Sequence, residues 1–167
     1  MDTLEYQALV QERLTASGYT LQSVPPWGLV GYRRDFRMRW MATTLHLLVH
    51  VATTDHVTAD GLAQFTRAAL DHAEATRGQM RGLQSGVAVI TAVIGESADD
   101  DAHAYALRTI QRDFAAFAWP TVVDLGAELR SSHAGSPFVG AVYSGWMRRQ
   151  IETLLPQPDS LVRSGPH

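Results

Sequence analysis

The chain of 167 residues contains neither lysine nor cysteine, so all 14 of its positively charged residues are arginines. Without lysine there is no phosphate-binding Walker A loop, no pyridoxal Schiff base and no lysine general base. Without cysteine there is no thiol nucleophile, disulfide, iron–sulfur cluster or cysteine-ligated zinc. Any enzymatic chemistry must therefore use His, Asp, Glu, Ser, Thr, Tyr or Arg. Because arginine codons are GC-rich and lysine codons AT-rich, genomic composition is a sufficient explanation for the missing lysine.

Other signals are absent as well. The sequence has no GxGxxG, HExxH or GxSxG motif, and no apolar run approaches the roughly 18 residues of a membrane span. It begins Met-Asp-Thr-Leu-Glu, without the basic and apolar regions of a secretory signal. The formal net charge of −3 gives no large basic excess. We therefore expect a cytoplasmic protein that has no membrane partner.

The hydrophobic pattern predicts the element order α-β-β-β-α-β-α-β-(β)-α. Helices are predicted at residues 2–17, 58–77, from Ser97 onward with an inner face that reaches Phe114, and from Ser136-Pro137 to Leu155. Strands are predicted at residues 19–24, 27–40, 43–52, 87–94 and 119–125, and residues 128–133 extend or flank the last strand. An antiparallel meander followed by a βαβ crossover predicts a mixed α/β (α+β) fold with one mixed sheet and helices on both faces. Residues 1–155 form one predicted domain, and the polar, proline-rich residues 156–167 a disordered tail.

The first candidate site is an arginine-lined strand. Arg33, Arg37 and Arg39 alternate onto one strand face, with same-face neighbours roughly 6.6 Å apart, close to the spacing of phosphates along a DNA strand. Asp35 lies among them and could orient two arginines. The face predicts binding of a small anion or nucleic acid. The alternative is the charged solvent face of an edge strand, which blocks aggregation.

The second candidate is the pair His46 and His50. On a strand they share one face but lie roughly 13 Å apart, too far to bind one metal ion. On a helix the same spacing would bring them together, but the β-branched residues around them favour a strand. We expect half-buried, hydrogen-bonded histidines, with His46 the better binding or catalytic candidate. Protonation of all seven histidines would reverse the net charge, so anion binding should strengthen on mild acidification.

Two further sets of polar residues carry weaker predictions. Glu96 and Asp99, with the acidic residues after them, are candidate ligands for a divalent metal, although acidic residues also suit the first turn of a helix. Asp124 follows a buried strand and His133 comes shortly after it, which leaves a Ser/His/Asp triad open. No feature marks a nucleophilic serine, and no cofactor is predicted apart from this candidate metal.

The stretch from Leu45 to Leu125 resembles the restriction-endonuclease-like nuclease core of Mrr-type enzymes. The resemblance lies in an aliphatic strand, a helix reading Gly61-Leu-Ala-Gln-Phe, the strand Gly86-Val-Ala-Val-Ile-Thr and an Ala-rich helix. That family's catalytic signature is an Asp followed by Glu-x-Lys, which binds Mg²⁺ and positions the attacking water. Asp35 matches the first position, but Thr44-Leu45-His46, at the second, supplies neither an acid nor a lysine. The resemblance thus implies a related fold whose nuclease activity is lost.

Together these observations favour a binding or interaction module over an enzyme. The leading expectation is a non-catalytic module that binds an anion or nucleic acid over the arginine strand. A metal-assisted hydrolase using Asp35 and His46, with Glu96 or Asp99, is the enzymatic alternative, and it requires these groups to converge in space. A structural subunit, including a homo-oligomer, is the third.

Overall fold

A computed structural model describes residues 1–22, 28–37, 43–77, 85–113, 116–134 and 141–162. Within these residues the chain forms helices α1 (Thr3–Ala16), α2 (Ala59–Arg77), α3 (Asp100–Arg108), α4 (Ala141–Leu154) and α5 (Pro158–Val162). The strands are β1 (Thr20–Gln22), β2 (Leu29–Arg37), β3 (Thr43–Val57), β4 (Ser85–Ala98), β5 (Gln111–Asp113), β6 (Ala116–Asp124) and β7 (Leu129–Ser132). The predicted α/β class and the predicted order of the main elements are confirmed.

The strands form one mixed sheet in the order β1-β2-β3-β4-β6-β5, and β7 also pairs with β6. β1, β2 and β3 make an antiparallel meander, whereas β3, β4 and β6 run parallel. The parallel neighbours are joined through α2 and α3, because a parallel pair needs a crossover that returns the chain to the same end of the sheet. The predicted meander followed by βαβ crossovers is therefore confirmed.

Helices cover both faces of the sheet. α1 and α4 pack on one face, over a core that contains Leu47, Val49 and Ile90. α2 and α3 pack on the other, over Leu48, Val89 and Val122. Odd and even residues of β3 thus enter different cores, as the period-2 alternation of a strand requires. Consequently, residues 45–51 of β3 and residues 87–94 of β4 are all buried.

The first helix follows its sequence signals closely. The Asp2 carboxylate accepts a hydrogen bond from the Glu5 amide at 2.8 Å, and the Glu5 carboxylate accepts one from the Asp2 amide at 2.9 Å. This capping box satisfies two amides that the helix leaves without acceptors. Gly18 then ends the helix with a φ of +78°, a conformation that costs glycine least.

Several predicted boundaries differ from the structure. β3 and β4 run to Val57 and Ala98, so Ser97 lies in a strand and Asp99 takes the N-cap position of α3. α3 ends at Arg108, because Thr109 is extended (φ −109°, ψ 132°) and the chain enters edge strand β5. The predicted face at Phe114 and the predicted helix start at Ser136 lie outside the described residues.

Part of the segment predicted to be a disordered tail is helical, and residues 163–167 lie outside the described residues. Residues Pro158–Val162 form α5, and Leu161 packs against the core cluster of α1 and α4. The buried Tyr6 hydroxyl donates to the Pro156 carbonyl at 2.6 Å, which fastens this segment to α1. The prolines that suggested fraying instead stand before and at the start of the helix, where a missing amide costs nothing. Among the described helices, none has the length and apolar character needed to cross a membrane.

Candidate functional site at the carboxyl edge of the parallel strands

The arginine predicted to begin the anion-binding stripe is engaged inside the molecule. Arg33 donates to the Asp35 carboxylate at 2.6 Å, to the Ser17 carbonyl at 2.9 Å and to Gln150 Oε1 at 3.1 Å. Its guanidinium carbon also lies 4.7 Å from the centre of the Tyr19 ring. These contacts join β2 to the end of α1 and to α4, so Arg33 is a structural residue. The side chain of Arg37 and all of Arg39 lie outside the described residues.

Asp35 and His46 do not converge. In the β2–β3 register Asp35 lies opposite Leu45, whereas His46 lies opposite Arg34. Residues directly opposite in an antiparallel pair share a face and successive residues alternate, so Asp35 and His46 project from opposite faces of the sheet. The convergence that the metal-assisted hydrolase requires is therefore not found for Asp35 and His46.

The two candidate histidines of β3 are interior residues. His46 is 4% exposed and shares a hydrogen bond of 2.9 Å with the Tyr32 hydroxyl. His50 is fully buried beneath α2, where its Nε2 lies 2.9 Å from Nδ1 of His72. Burial, reinforced by the neighbouring His72, lowers the pKa of His50 to about 3. Each histidine has its own partner, and an external anion cannot reach His50 without opening the core.

The predicted metal ligands do not assemble a metal site. Asp99 accepts a hydrogen bond from an imidazole, and the Glu96 side chain is exposed. Throughout the described ranges, no three His, Asp or Glu side chains are placed to hold a metal ion. The candidate metal site at Glu96 and Asp99 is therefore not supported by the geometry.

Polar side chains instead gather where the three parallel strands end. We call this region, residues 53–66, 95–107 and 124–129, the carboxyl edge. It contains eight acidic residues, Asp55, Asp60, Glu96, Asp99, Asp100, Asp101, Asp124 and Glu128, and no arginine. In open α/β sheets the crevice outside the carboxyl ends of the strands is the usual place for a ligand. Within the edge, two histidines are each bonded to an aspartate and a serine.

The exposed cluster consists of His56, Ser97 and Asp99. His56 and Ser97 are register partners on β3 and β4, so their side chains share a face, and His56 Nδ1 lies 2.8 Å from Ser97 Oγ. The other ring nitrogen, Nε2, lies 2.9 Å from Asp99 Oδ1. Because a carboxylate can only accept, Nε2 of the neutral imidazole carries the hydrogen and Nδ1 is the acceptor. Ser97 must therefore donate its hydroxyl hydrogen to His56.

The second cluster is buried. Asp124, 5% exposed, accepts hydrogen bonds from the amides of Ala98 and Ala127 at 3.0 and 2.8 Å. His103 of α3 lies 3.4 Å from this carboxylate and 2.8 Å from the hydroxyl of Ser131, which is 4% exposed. Because Ser131 is buried, a substrate could reach it only if β7 moved. The cluster therefore has a structural role, in which hydrogen bonds connect α3, β6 and β7.

Asp124 is hydrogen-bonded to His103 and not to His133, which the sequence suggested as its partner. His133 instead lies edge-on to the Trp119 ring, with centroids 5.6 Å apart. Burial, together with the positive charge of Arg112, lowers the pKa of His133. Sequence proximity suggested His133 as the partner, but the antiparallel return of β7 carries it away from the end of β6.

A small pocket opens beside the exposed cluster. Its volume is about 160 Å³, and it lies between the end of β3 and the first turns of α2. Its lining is mostly apolar, with hydroxyls and one imidazole at the rim: Ala52, Thr53, Thr54, His56, Val57, Thr58, Gly61, Leu62, Phe65 and Val93. A larger open groove of about 480 Å³ is lined in the described residues by α1 alone and brings no titratable pair together.

Known proteins provide no family for this chain. No family model and no curated protein matches it. The resemblance to the restriction-endonuclease-like core stays a prediction from element order. The function is therefore inferred from the residues of the carboxyl edge.

Sequence reasoning missed His56 and Ser97 as functional residues. Ser97 was interpreted as a helix cap because it precedes three acidic residues, a pattern typical of a helix start. One signal was available: His56 and Ser97 each lie just before a helix that follows a strand, and parallel strands end at the same edge of a sheet. The register that makes them neighbours is not visible in either segment alone.

Proposed function

We propose that the protein is a binding module whose ligand is a small molecule with an apolar body and an uncharged or cationic head group. The ligand occupies the pocket at the carboxyl edge, with its head group beside His56. The observation that supports this proposal is the mostly apolar pocket at the end of β3, which His56 lines and whose imidazole is bonded on its other side to Asp99. Such a combination of apolar walls and few polar groups is characteristic of ligand sites.

The volume limits the size of the ligand. Sites for drug-sized ligands enclose roughly 300 to 1,000 Å³, and this pocket has about 160 Å³. A nucleotide or a drug-sized molecule would not fit, whereas an aromatic ring or a short branched chain would. Phe65 and Leu62 provide the apolar contact for such a group.

The charge of the edge determines the head group. Asp60 lies two residues after the lining residue Thr58, the Asp99 carboxylate is bonded to the lining residue His56, and the residues of the edge include no arginine. Like charges close together at a partly buried site are unfavourable. An anionic head group should therefore be rejected, and an ammonium or hydroxyl group should be accepted.

This proposal keeps the binding class expected from the sequence and changes its location. Binding of an anion or nucleic acid over the strand that carries Arg33, Arg37 and Arg39 stays a separate prediction. The structural-subunit alternative lacks support of the same kind, because the exposed large apolar side chains in the described residues, Met1, Leu4, Leu107 and Leu129, belong to three different elements and the amino terminus.

The test is an NMR titration with benzylamine, benzyl alcohol and benzoate, which share a ring and differ in head-group charge. We expect benzylamine and benzyl alcohol to shift the amide signals of Gly61, Leu62 and Phe65. Their dissociation constants should be about 1 mM, or about −4 kcal/mol, as suits so small a ligand. Benzoate should bind at least about tenfold more weakly, a difference of about 1.4 kcal/mol.

A pair of matched variants locates the binding. Ala52→Leu places added side-chain atoms in the pocket and should abolish the benzylamine shifts, whereas Ala75→Leu adds the same atoms on the exposed surface of α2 and should leave them unchanged. Melting curves of both variants establish that the fold is retained. Equal binding of benzoate and benzylamine, or unchanged binding by a folded Ala52→Leu variant, would contradict the proposal.

A further inference from the structure

We propose that Ser97 is a nucleophile activated by His56, and that small uncharged esters held in the pocket acylate it. This inference adds covalent chemistry to the proposed binding function and rests on the same pocket for substrate placement. The geometry that points to it is the bridge formed by His56, whose two ring nitrogens reach Ser97 Oγ at 2.8 Å and Asp99 Oδ1 at 2.9 Å.

The arrangement combines a serine hydroxyl, a base and a carboxylate, the three groups that form an activated serine. A base lies within hydrogen-bond distance of the hydroxyl, and a carboxylate fixes the tautomer of that base. In the familiar serine hydrolases, Nε2 of the histidine faces the serine and Nδ1 faces the aspartate, whereas here Nδ1 faces the serine and Nε2 the aspartate. This exchange still permits catalysis, because either ring nitrogen can accept a proton. Ser97 is exposed, so its hydroxyl is accessible to a substrate. The Asp99 carboxylate accepts a hydrogen bond from the imidazole, so Asp99 acts through His56 as a positioning residue.

The neighbouring helix contributes amides for the developing negative charge. The first amides of a helix have no intrahelical acceptors, and the Asp99 carboxylate makes no cap bond to those of α3. It is bonded to His56 instead. The amides of Asp100 and Asp101 therefore remain as donors at the end of α3 that follows Ser97. The carboxylates of the same two residues oppose an oxyanion, so we expect slow turnover.

The reaction proceeds in two balanced halves. Ser97 Oγ bonds to the ester carbonyl carbon while its hydrogen passes to His56 Nδ1. The carbon–oxygen bond to the alcohol then breaks, and the proton on Nδ1 passes to the departing alcohol. Water attacks the acyl–Ser97 ester, gives its proton to Nδ1, and Ser97 leaves with that proton. The net change is ester plus water to carboxylic acid plus alcohol.

The buried cluster provides an internal comparison. Ser131 has the same types of partner, His103 and Asp124, but is 4% exposed. If contact with a histidine were sufficient, both serines would react. The proposal requires that only Ser97 does, because it alone combines the imidazole contact with access from solvent.

The experiment is incubation of the intact protein with p-nitrophenyl acetate, followed by mass spectrometry and peptide mapping. We expect one acetyl group on Ser97 and p-nitrophenol release at least about 100-fold faster than by Ser97→Ala, the lower end of what a positioned base contributes. Ser160→Ala, which removes an exposed hydroxyl bonded to the Gln157 carbonyl, should behave as wild type. Acetylation of Ser131 or of the amino terminus alone, or equal release by Ser97→Ala, would overturn the proposal.

The role of Asp99 is tested by the tautomer of His56. In nitrogen-15 spectra of the neutral wild-type ring we expect the hydrogen on Nε2, and in Asp99→Asn a loss of that preference. Acetylation should slow about tenfold or more in this variant, because a hydrogen on Nδ1 would stop the ring from accepting one from Ser97. A hydrogen on Nδ1 in the wild-type protein would refute the assignment.

Binding and acylation fail separately. Ser97→Ala should retain the benzylamine shifts at Gly61 and Phe65 while losing acetylation. Absence of benzylamine binding together with acetylated Ser97 would overturn the pocket proposal and leave the nucleophile. Benzylamine binding without acetylation of Ser97 would overturn the nucleophile proposal and leave the pocket proposal.

Discussion

At the scale of single residues, His50 has strongly altered acid–base chemistry. It is fully buried between β3 and α2 and bonded to His72, and its pKa falls to about 3 because burial disfavours the charged ring. In the unfolded chain the same side chain has an ordinary pKa of about 6.5. His50 therefore couples folding to pH, although it is remote from the carboxyl edge.

The sign of this coupling follows from proton counting. Between pH 6.5 and 3 the unfolded chain binds a proton at this residue and the folded protein does not, so acid favours unfolding. The contribution to stability is complete above pH 6.5 and declines by about 1.4 kcal/mol for each pH unit below it. Urea denaturation at pH 7.5, 5.5 and 4.5 measures this decline.

A matched variant isolates the histidine from the carboxylates, which also titrate in acid. His50→Gln cannot be protonated and retains a group able to bond His72. Between pH 6.5 and 4.5 its stability should decline less steeply than that of the wild type by about 1.4 kcal/mol per pH unit. Identical pH dependence in the two proteins would mean that His50 is protonated in the folded state.

The same residue limits the sequence-based expectation of charge reversal. If a buried histidine stays neutral to about pH 3, mild acidification cannot charge all seven histidines. Strengthening of anion binding near pH 6 would therefore have to come from histidines other than His50.

At the scale of elements, the carboxyl edge depends on a close approach of backbones at Gly95. A Cβ at this position would lie 2.6 Å from the Ser97 carbonyl oxygen and 2.7 Å from a methyl carbon of Val57. Its own carbonyl accepts the amide of Leu125 at 3.0 Å, which joins β4 to the end of β6. The absence of a side chain thus lets three segments meet beside the exposed cluster.

Substitution of this glycine should therefore be costly. We expect Gly95→Ala to lower the free energy of unfolding by about 1 to 3 kcal/mol, the usual effect of overpacking. Gly145→Ala is the control, because a Cβ there meets nothing within 4 Å and lies within α4. Alanine should stabilise that helix by up to about 1 kcal/mol. Urea denaturation of both variants measures the difference, and equal stabilisation by both would show that Gly95 has room for a side chain.

Element positions were largely predictable, whereas their ends were not. α2 was predicted from its periodicity almost residue for residue, because the pattern of Leu62, Ala69 and Ala73 is local to the helix. β3 was predicted to end at Ala52 and continues to Val57, because pairing with β4 holds polar residues in an extended strand. That pairing is a tertiary contact, so the local pattern of apolar residues stops before the strand does.

At the scale of the whole molecule, the charges are unevenly distributed along the sheet. The carboxyl edge holds eight acidic residues and no arginine. At the other end of the parallel strands, β2 carries Arg34 on the strand and reaches Arg37 opposite Thr43, the first residue of β3. Nucleic acid, if bound, should therefore meet the amino-terminal ends of β3 and β4 and avoid the carboxyl edge.

This placement extends the prediction for the arginine strand. Arg37→Ala combined with Arg39→Ala should weaken the binding of double-stranded DNA. The slope of log affinity against log salt concentration should become less steep by about 1.8, because each lost phosphate contact removes about 0.9 from its magnitude. The melting temperature should change little. Fluorescence anisotropy across salt concentrations measures the slope.

The control for this prediction lies on α4. Arg148→Ala combined with Arg149→Ala removes two exposed charges of the same kind and should leave the DNA affinity nearly unchanged. An equal loss in both double variants would assign the effect to net charge. Absence of any salt-dependent DNA binding by the wild-type protein would dismiss the arginine strand as a nucleic-acid site.

The sequence by itself determined the mixed α/β sheet, most of its elements and the chemistries excluded by the missing lysine and cysteine. These properties follow from composition and from periodicities of 2 and 3.6 residues, which act within single segments. Only the tertiary structure decided which polar residues meet. His56 lies 41 residues from Ser97 and 43 from Asp99 along the chain. Register across the β3–α2–β4 crossover brings them together, while the β2–β3 register separates Asp35 from His46. A one-residue shift in either register would reverse these outcomes, because neighbouring residues of a strand face opposite sides.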